Sequence, residues 1–192
     1  MNIQLWVTSI CSCITAATAI FATFKALSEW RRSIQQRKEE LSLRQREFRH
    51  KQATFARDLV KEIFADKKAR NALKLLDWIR EVYEDDAGVM HEIKRDEIQQ
   101  AMRPFKMNPM GDENIFSDKE KFVRLQFEAL YDYFEQLENM IGLSVVAFED
   151  VESTFRYYMR RLLRPNIEHF EFLDYYEYPK AKAFLLRYKS DR

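Results

Sequence analysis

Glycine, proline and cysteine are all scarce in this chain, which has three Gly, four Pro and two Cys among 192 residues. With so few helix-breaking residues, a fold dominated by sheet is not expected. Three scattered glycines also exclude a glycine-rich phosphate loop. Hydrophobic residues at 46% and aromatic residues at 14% exclude a disordered chain. The length suits one compact domain with an appendage. We therefore expect an all-α fold with a single core.

The two cysteines and three histidines offer no metal-binding pattern. Cys11 and Cys13 lie together near the amino terminus, so no later cysteine can form an internal disulfide. His50, His91 and His169 are far apart in sequence, and no Cys-x-x-Cys or His-Glu-x-x-His spacing occurs. The sequence predicts no cofactor and no metal, and suits a reducing compartment.

Charge is absent from the beginning of the chain. Ile3 to Phe24 form 22 residues without a charged side chain, which as a helix would span about 33 Å, close to the hydrocarbon thickness of a bilayer. We predict a transmembrane anchor over residues 1–25. A signal peptide cleaved after Ala17-Thr18-Ala19 is the main alternative, and a helix buried in protein is another. A positive segment before the apolar run is missing, and that run continues past Ala19, which argues against the signal peptide.

The charges that follow predict an orientation. Lys25 to Arg57 contain ten Lys and Arg against four Glu. By the positive-inside rule, the amino terminus lies outside and the rest is cytoplasmic, as in a single-pass protein of the inner membrane. Lys25, Arg31, Arg32, Arg37 and Lys38 are the residues expected to contact anionic lipid head groups.

Small residues recur every four positions in the predicted anchor. Such ridges allow close helix approach, so the span is a candidate for self-association. The candidate residues are Ser12, Thr15, Ala16, Ala19 and Thr23.

Residues 26–54 are predicted to form a basic helical stalk with one apolar stripe. The stripe consists of Leu27, Ile34, Leu41, Phe48 and Phe55, each seven residues after the last. Seven-residue spacing is typical of a coiled coil, but the companion positions are Trp30, Arg37, Arg44 and Lys51. Two interpretations stay open: a solvated helix, or a partial coiled coil that forms a homo-oligomer.

Residues 55–192 are predicted to form a cytoplasmic bundle of four to six helices. We expect one helix to run from Phe55 to about Tyr83, and a short one over residues 91–103. The buried face of the first is expected to include Ala69, Leu73, Leu76 and Val82, which recur at spacings of three and four. A capping box at Ser117 and Glu120 begins a helix that ends at Gly142. Another helix is expected over residues 147–163, before Pro165, followed by one or two aromatic-rich helices.

No set of residues in this domain has the pattern of a catalytic site. The carboxylates of Asp132, Glu135 and Glu138 on one helix face are interpreted as solvated charges. The aromatic residues from Phe170 to Tyr188 are interpreted as core, because their surroundings are acidic. We expect no enzymatic activity and no direct binding of nucleic acid.

Residues 130–165, "LYDYFEQLENMIGLSVVAFEDVESTFRYYMRRLLRP", resemble a group of uncharacterised bacterial single-span helical proteins, some of which occur in prophages or anti-phage defence loci. The shared features are the turn over residues 137–143 and a helix that ends before a proline. The resemblance implies a membrane effector that a partner complex, protein or ribonucleoprotein, holds in check. The alternative is a membrane-tethered nucleic-acid-binding or regulatory module.

Overall fold

A computed structural model describes residues 3–77, 80–85, 88–104, 116–163 and 169–189; in the first helix, side chains are described from residue 24 onward. The chain divides into two compact units, residues 1–50 and 51–192. The described elements are, in order, α1 (Ile3–Ala65), α2 (Lys67–Asp77), β1 (Arg80–Glu84), β2 (Met90–Lys94), α3 (Arg95–Ala101), α4 (Asp118–Gly142), α5 (Phe148–Leu162), α6 (His169–Tyr175) and α7 (Pro179–Arg187). The prediction of a predominantly helical fold is confirmed.

Among the described residues, no helix combines the length and the apolar character that a bilayer crossing needs. The predicted anchor falls almost wholly on residues 1–23, whose side chains lie outside the description, as do those of Cys11 and Cys13.

Helix α1 changes from exposed to buried along its length. Of the side chains from residue 24 to 50, all are exposed except that of Ile34, which is half-buried. In the second unit, Ala56, Leu59 and Ile63 of the same helix are buried. Their spacing of three and four residues places them on one face, which joins the core of the C-terminal unit.

The helix predicted from Phe55 to Tyr83 is instead two helices and a strand. Asp66 separates α1 from α2, and its Oδ1 accepts the backbone N–H of Ala69 at 2.7 Å. A short polar side chain that bonds the N–H three residues ahead starts a new helix. Helix α2 then buries Ala69, Leu73 and Leu76, as expected from the sequence.

An antiparallel hairpin of β1 and β2 is the main departure from the predicted all-helical fold. The helix predicted over residues 91–103 is confirmed only from Arg95, because Met90–Lys94 pair with Arg80–Glu84. Tyr83 and Ile93 are buried, whereas Val82 and Met90 are 53% and 62% exposed. This two-residue alternation is that of a strand with one face on the core. Val82, expected in the core from helical spacing, therefore lies on the solvent face.

Helix α4 is the centre of the C-terminal unit. It begins at the predicted capping box, where Ser117 accepts the N–H of Glu120 and Glu120 accepts that of Ser117. Phe127, Leu130, Phe134 and Leu137 on α4 are fully buried, and the ring of Phe134 lies 5.0 Å from that of Phe184 on α7. Helices α5, α6 and α7 follow close to their predicted positions, and Phe155, Phe172 and Phe184 complete the aromatic core.

Candidate functional site

The exposed surface of α1 between residues 24 and 50 carries the residues that the sequence singled out. Leu27, Leu41 and Phe48 of the stripe are 47%, 65% and 56% exposed, and Phe55 in the second unit is 43% exposed. Only Ile34 of the stripe is half-buried. Burial of apolar surface stabilises a protein by roughly 25 cal/mol for each Å² removed from water. The exposed residues of the stripe do not gain this free energy within one chain. Most of the stripe is therefore apolar surface in contact with solvent.

The five cations predicted to contact lipid lie along the same segment. Lys25, Arg31, Arg32, Arg37 and Lys38 are all exposed, and within the described part of the chain none of them forms an ion pair with a carboxylate. Farther along, Arg44 pairs with Glu40 at 2.6 Å. Cations that no carboxylate neutralises keep their full attraction for anionic groups of a partner or of a lipid surface. The five residues of the predicted self-association ridge, Ser12 to Thr23, lie outside the described side chains.

The three carboxylates that we interpreted as solvated charges on α4 have structural roles. Glu138 receives two hydrogen bonds from the guanidinium of Arg187, each 2.7 Å long, and these bonds raise the pKa of Arg187. Glu135 accepts the N–H of Ala181 at 2.8 Å, in the first turn of α7. Asp132 pairs with Tyr178, whose pKa rises to about 12 because burial and then the Asp132 charge disfavour the phenolate. The interpretation was wrong for Glu135 and Glu138, which hold α7 against α4.

His169 is fully buried against Tyr131 in the core. Burial raises the pKa of Tyr131 well above its usual value, so the phenol keeps its proton, and its hydroxyl forms a hydrogen bond with Nδ1 of His169. The other ring nitrogen, Nε2, has no hydrogen-bond partner in the described part of the chain. Burial lowers the pKa of His169 to about 3. A histidine locked in its neutral form beneath the surface serves packing rather than proton transfer.

A buried cation, Arg124 on α4, was not anticipated from the sequence. Its Nη1 donates to the carbonyl oxygens of Ala101, the last residue of α3, at 2.7 Å and of Arg103, two residues farther on, at 3.0 Å. The rings of Phe116, Phe172 and Tyr176 surround the guanidinium at 4.1–4.9 Å. Carbonyls at a helix end and aromatic faces both attract a cation, so Arg124 joins α3 to the core.

His91 on β2 contacts Asp85, and this contact was also missed. Its Nε2 lies 2.8 Å from Oδ2 of Asp85, while Oδ1 of Asp85 accepts the N–H of Val89 at 2.8 Å. The imidazole stacks on Phe122 of α4 with ring centres 4.8 Å apart. The two residues are six positions apart, and only the hairpin turn brings them together. The Asp-Asp-Ala-Gly sequence of residues 85–88 is the signal that would have indicated this turn.

In the described part of the chain, no group of three or more His, Cys, Asp or Glu side chains is placed to hold a metal ion. Comparison with protein-family models, with curated proteins and with solved structures found no match.

Proposed function

We propose that this protein is a single-span interaction protein of the bacterial inner membrane, with its amino terminus outside and its helical unit in the cytoplasm. One observation carries the proposal: within α1, an uncharged segment of 22 residues meets a strongly basic, exposed segment at Lys25. A water-exposed helix gains little from an uncharged run of that length, whereas a bilayer requires it.

The exposed segment after Lys25 supports the idea of a stalk. Few helices remain exposed on all sides over this length without a surrounding core, because most helical stability in proteins comes from burying one face. Its cations are suited to anionic head groups, each contributing about 1 kcal/mol near the surface. Its apolar stripe is suited to another helix, which would bring copies of the chain together.

We further propose that the protein acts as a membrane effector in anti-phage defence, controlled by a protein or ribonucleoprotein partner. This proposal rests on the resemblance of residues 130–165 and on the small-residue ridge from Ser12 to Thr23. Release from the partner would allow the spans to associate through Ala16, Ala19 and their neighbours, and the associated spans would disturb the bilayer.

Affinity purification of the full chain from bacterial membranes in mild detergent tests these proposals. Mass spectrometry and a nucleic-acid assay on the eluate should find a stoichiometric protein or ribonucleoprotein partner. A homo-oligomer alone would contradict control by a partner. Nucleic acid bound directly, with no partner protein, would favour the alternative of a tethered nucleic-acid-binding module, for which the exposed cations of residues 25–51 are the supporting observation.

A further inference from the structure

The part of the stripe between residues 24 and 50 has the shape of a helix-binding surface. Leu27, Leu41 and Phe48 are 47%, 65% and 56% exposed, and their seven-residue repeat keeps them on one side of α1. Over most of its length the stripe is one residue wide, which is the width of a coiled-coil seam. A helix lying in a membrane surface needs a broader apolar side. The stripe therefore fits the side of a single partner helix.

Cations border this part of the stripe. Four exposed cations lie three or four residues after a member of the stripe, which places them beside it on the helix surface: Arg31, Arg37, Lys38 and Arg44. Arg31, Arg37 and Lys38 form no ion pair with a carboxylate within the described part of the chain. From Leu27 to Lys38, the charges beside the stripe are all positive.

Two carboxylates border the stripe farther along but neutralise little of this charge. Glu40 and Glu47 directly precede Leu41 and Phe48. Arg44 pairs with Glu40 at 2.6 Å, and the two side chains are 72% and 61% exposed. An exposed pair of this kind contributes little to stability, so a carboxylate of a partner can take the place of Glu40. The border of the stripe thus keeps an excess of positive charge.

A second copy of the chain is a poor fit for this surface. In a parallel pair of stalks, Arg37 of one copy would face Arg37 of the other, and the two copies of Arg44 would face each other in the same way. Residues 24–50 carry eight Lys and Arg against four Glu, so two such segments repel each other. Charge complementarity therefore favours an acidic occupant.

We propose that the exposed surface of α1 between residues 24 and 50 binds an acidic amphipathic helix of another protein. The apolar side of that helix covers Leu27, Leu41 and Phe48, and its carboxylates pair with the bordering cations. A polyanion without an apolar side would leave the stripe in water. The inference deepens the control by a partner proposed above, because a stalk covered in this way cannot pair with the stalk of a second copy.

Three fluorescent peptides of about four heptads test the proposal on the full chain in nonionic detergent. The acidic peptide has Leu and Val in its seam and Glu on either side, the basic peptide has Lys in place of each Glu, and the third is polyglutamate of the same charge. Fluorescence anisotropy should show that the acidic peptide binds about tenfold more tightly than either of the others, and that added salt weakens its binding. Equal affinity for the acidic peptide and either of the other two, or no binding of the acidic peptide, would overturn the proposal.

Matched arginine variants locate the surface. Arg37→Gln combined with Arg44→Gln should weaken binding of the acidic peptide about tenfold. Arg46→Gln combined with Arg49→Gln removes the same charge from exposed positions on the side of α1 away from the stripe, and should leave the affinity within about twofold. Equal losses in the two double variants would show attraction to net charge alone and overturn the surface.

Arg37→Leu combined with Arg44→Leu should give the converse result. These replacements extend the apolar seam and remove the facing like charges, so light scattering should show a larger oligomer of the full chain. The preference for the acidic over the basic peptide should fall about tenfold. An oligomer of unchanged size would contradict the repulsion on which the choice of an acidic partner rests.

The peptide tests and the membrane tests fail separately. The binding surface begins after Phe24, so absence of peptide binding would overturn this inference and leave the proposed anchor untouched. Peptide binding by a chain that does not remain in the membrane would overturn the proposed anchor and leave this inference standing.

Discussion

His169 shows how one residue can make the stability of the C-terminal unit depend on pH. The folded chain keeps this imidazole neutral because burial lowers its pKa to about 3, whereas a histidine in an unfolded chain has a pKa near 6.5. Tyr131 is the titratable group in contact with it, and burial raises the pKa of that phenol. Tyr131 therefore remains uncharged at every pH at which His169 would protonate in the unfolded chain.

We predict that stability falls as the pH falls below about 6.5. Between the two pKa values the unfolded chain binds the proton and the folded chain does not, so acid favours unfolding. The contribution of His169 is complete above about pH 7.5, and about 2 kcal/mol of it is lost between about pH 7.5 and about pH 5. Urea unfolding of the full chain at both pH values measures the difference.

Two glutamine variants isolate the contribution of His169. His169→Gln should reduce the difference between the two pH values by about 2 kcal/mol, whatever its effect at neutral pH. His50→Gln removes an exposed histidine on α1 and should keep the wild-type difference. An unchanged difference in His169→Gln would refute the assignment.

At the scale of single elements, capping signals predicted helices well and apolar spacing did not exclude strands. Ser117 and Glu120 fixed the beginning of α4, since a capping box has one structural meaning. Val82 and Tyr83 fitted a helical face but belong to a strand. A short apolar run fits both the helical and the strand period. Which of the two forms depends on whether another segment of the chain pairs with the run.

The glycines at residues 88 and 142 should respond oppositely to alanine. Gly88 has a φ of +80° in the hairpin turn, a conformation that costs an L-residue about 1 kcal/mol or more. Gly142 lies in the last turn of α4, where an added Cβ would meet nothing within 4 Å. Gly88→Ala should therefore lower the free energy of unfolding by about 1 kcal/mol, and Gly142→Ala should raise it by about 0.5 kcal/mol. Chemical denaturation measures both, and a loss in Gly142→Ala as large as that in Gly88→Ala would contradict the explanation.

The stripe on α1 carries a prediction about assembly. If the stripe is the seam of a coiled coil, Leu41→Ser combined with Phe48→Ser should shift the full chain to a smaller oligomer, because these are two of its exposed apolar layers. Light scattering in detergent reports the size. Leu43→Ser is the control, since Leu43 is 57% exposed but lies off the stripe. An unchanged oligomer in the double variant would favour the solvated-helix interpretation.

At the scale of the whole molecule, composition predicted the helical class but could not predict the sites. A cavity of the C-terminal unit is lined by residues from three segments far apart in sequence, among them Asn71, His91 and Phe122, and no short motif links these segments. Arg124 and His169 look like ordinary surface residues in a sequence, and only the packing of α3, α4 and α6 shows that they are buried. The charge step at Lys25, by contrast, is entirely local and is visible in the sequence alone.

The most direct test of the proposed membrane anchor is extraction of the full chain from bacterial inner membranes, first with high salt and then with alkaline carbonate. An uncharged span over residues 3–24 predicts that the protein stays in the pellet after both washes and is removed only by detergent. In inside-out vesicles, added protease should then digest the C-terminal unit, as the basic residues after Lys25 require. Release by salt or by carbonate, or protection of that unit in inside-out vesicles, would contradict the account.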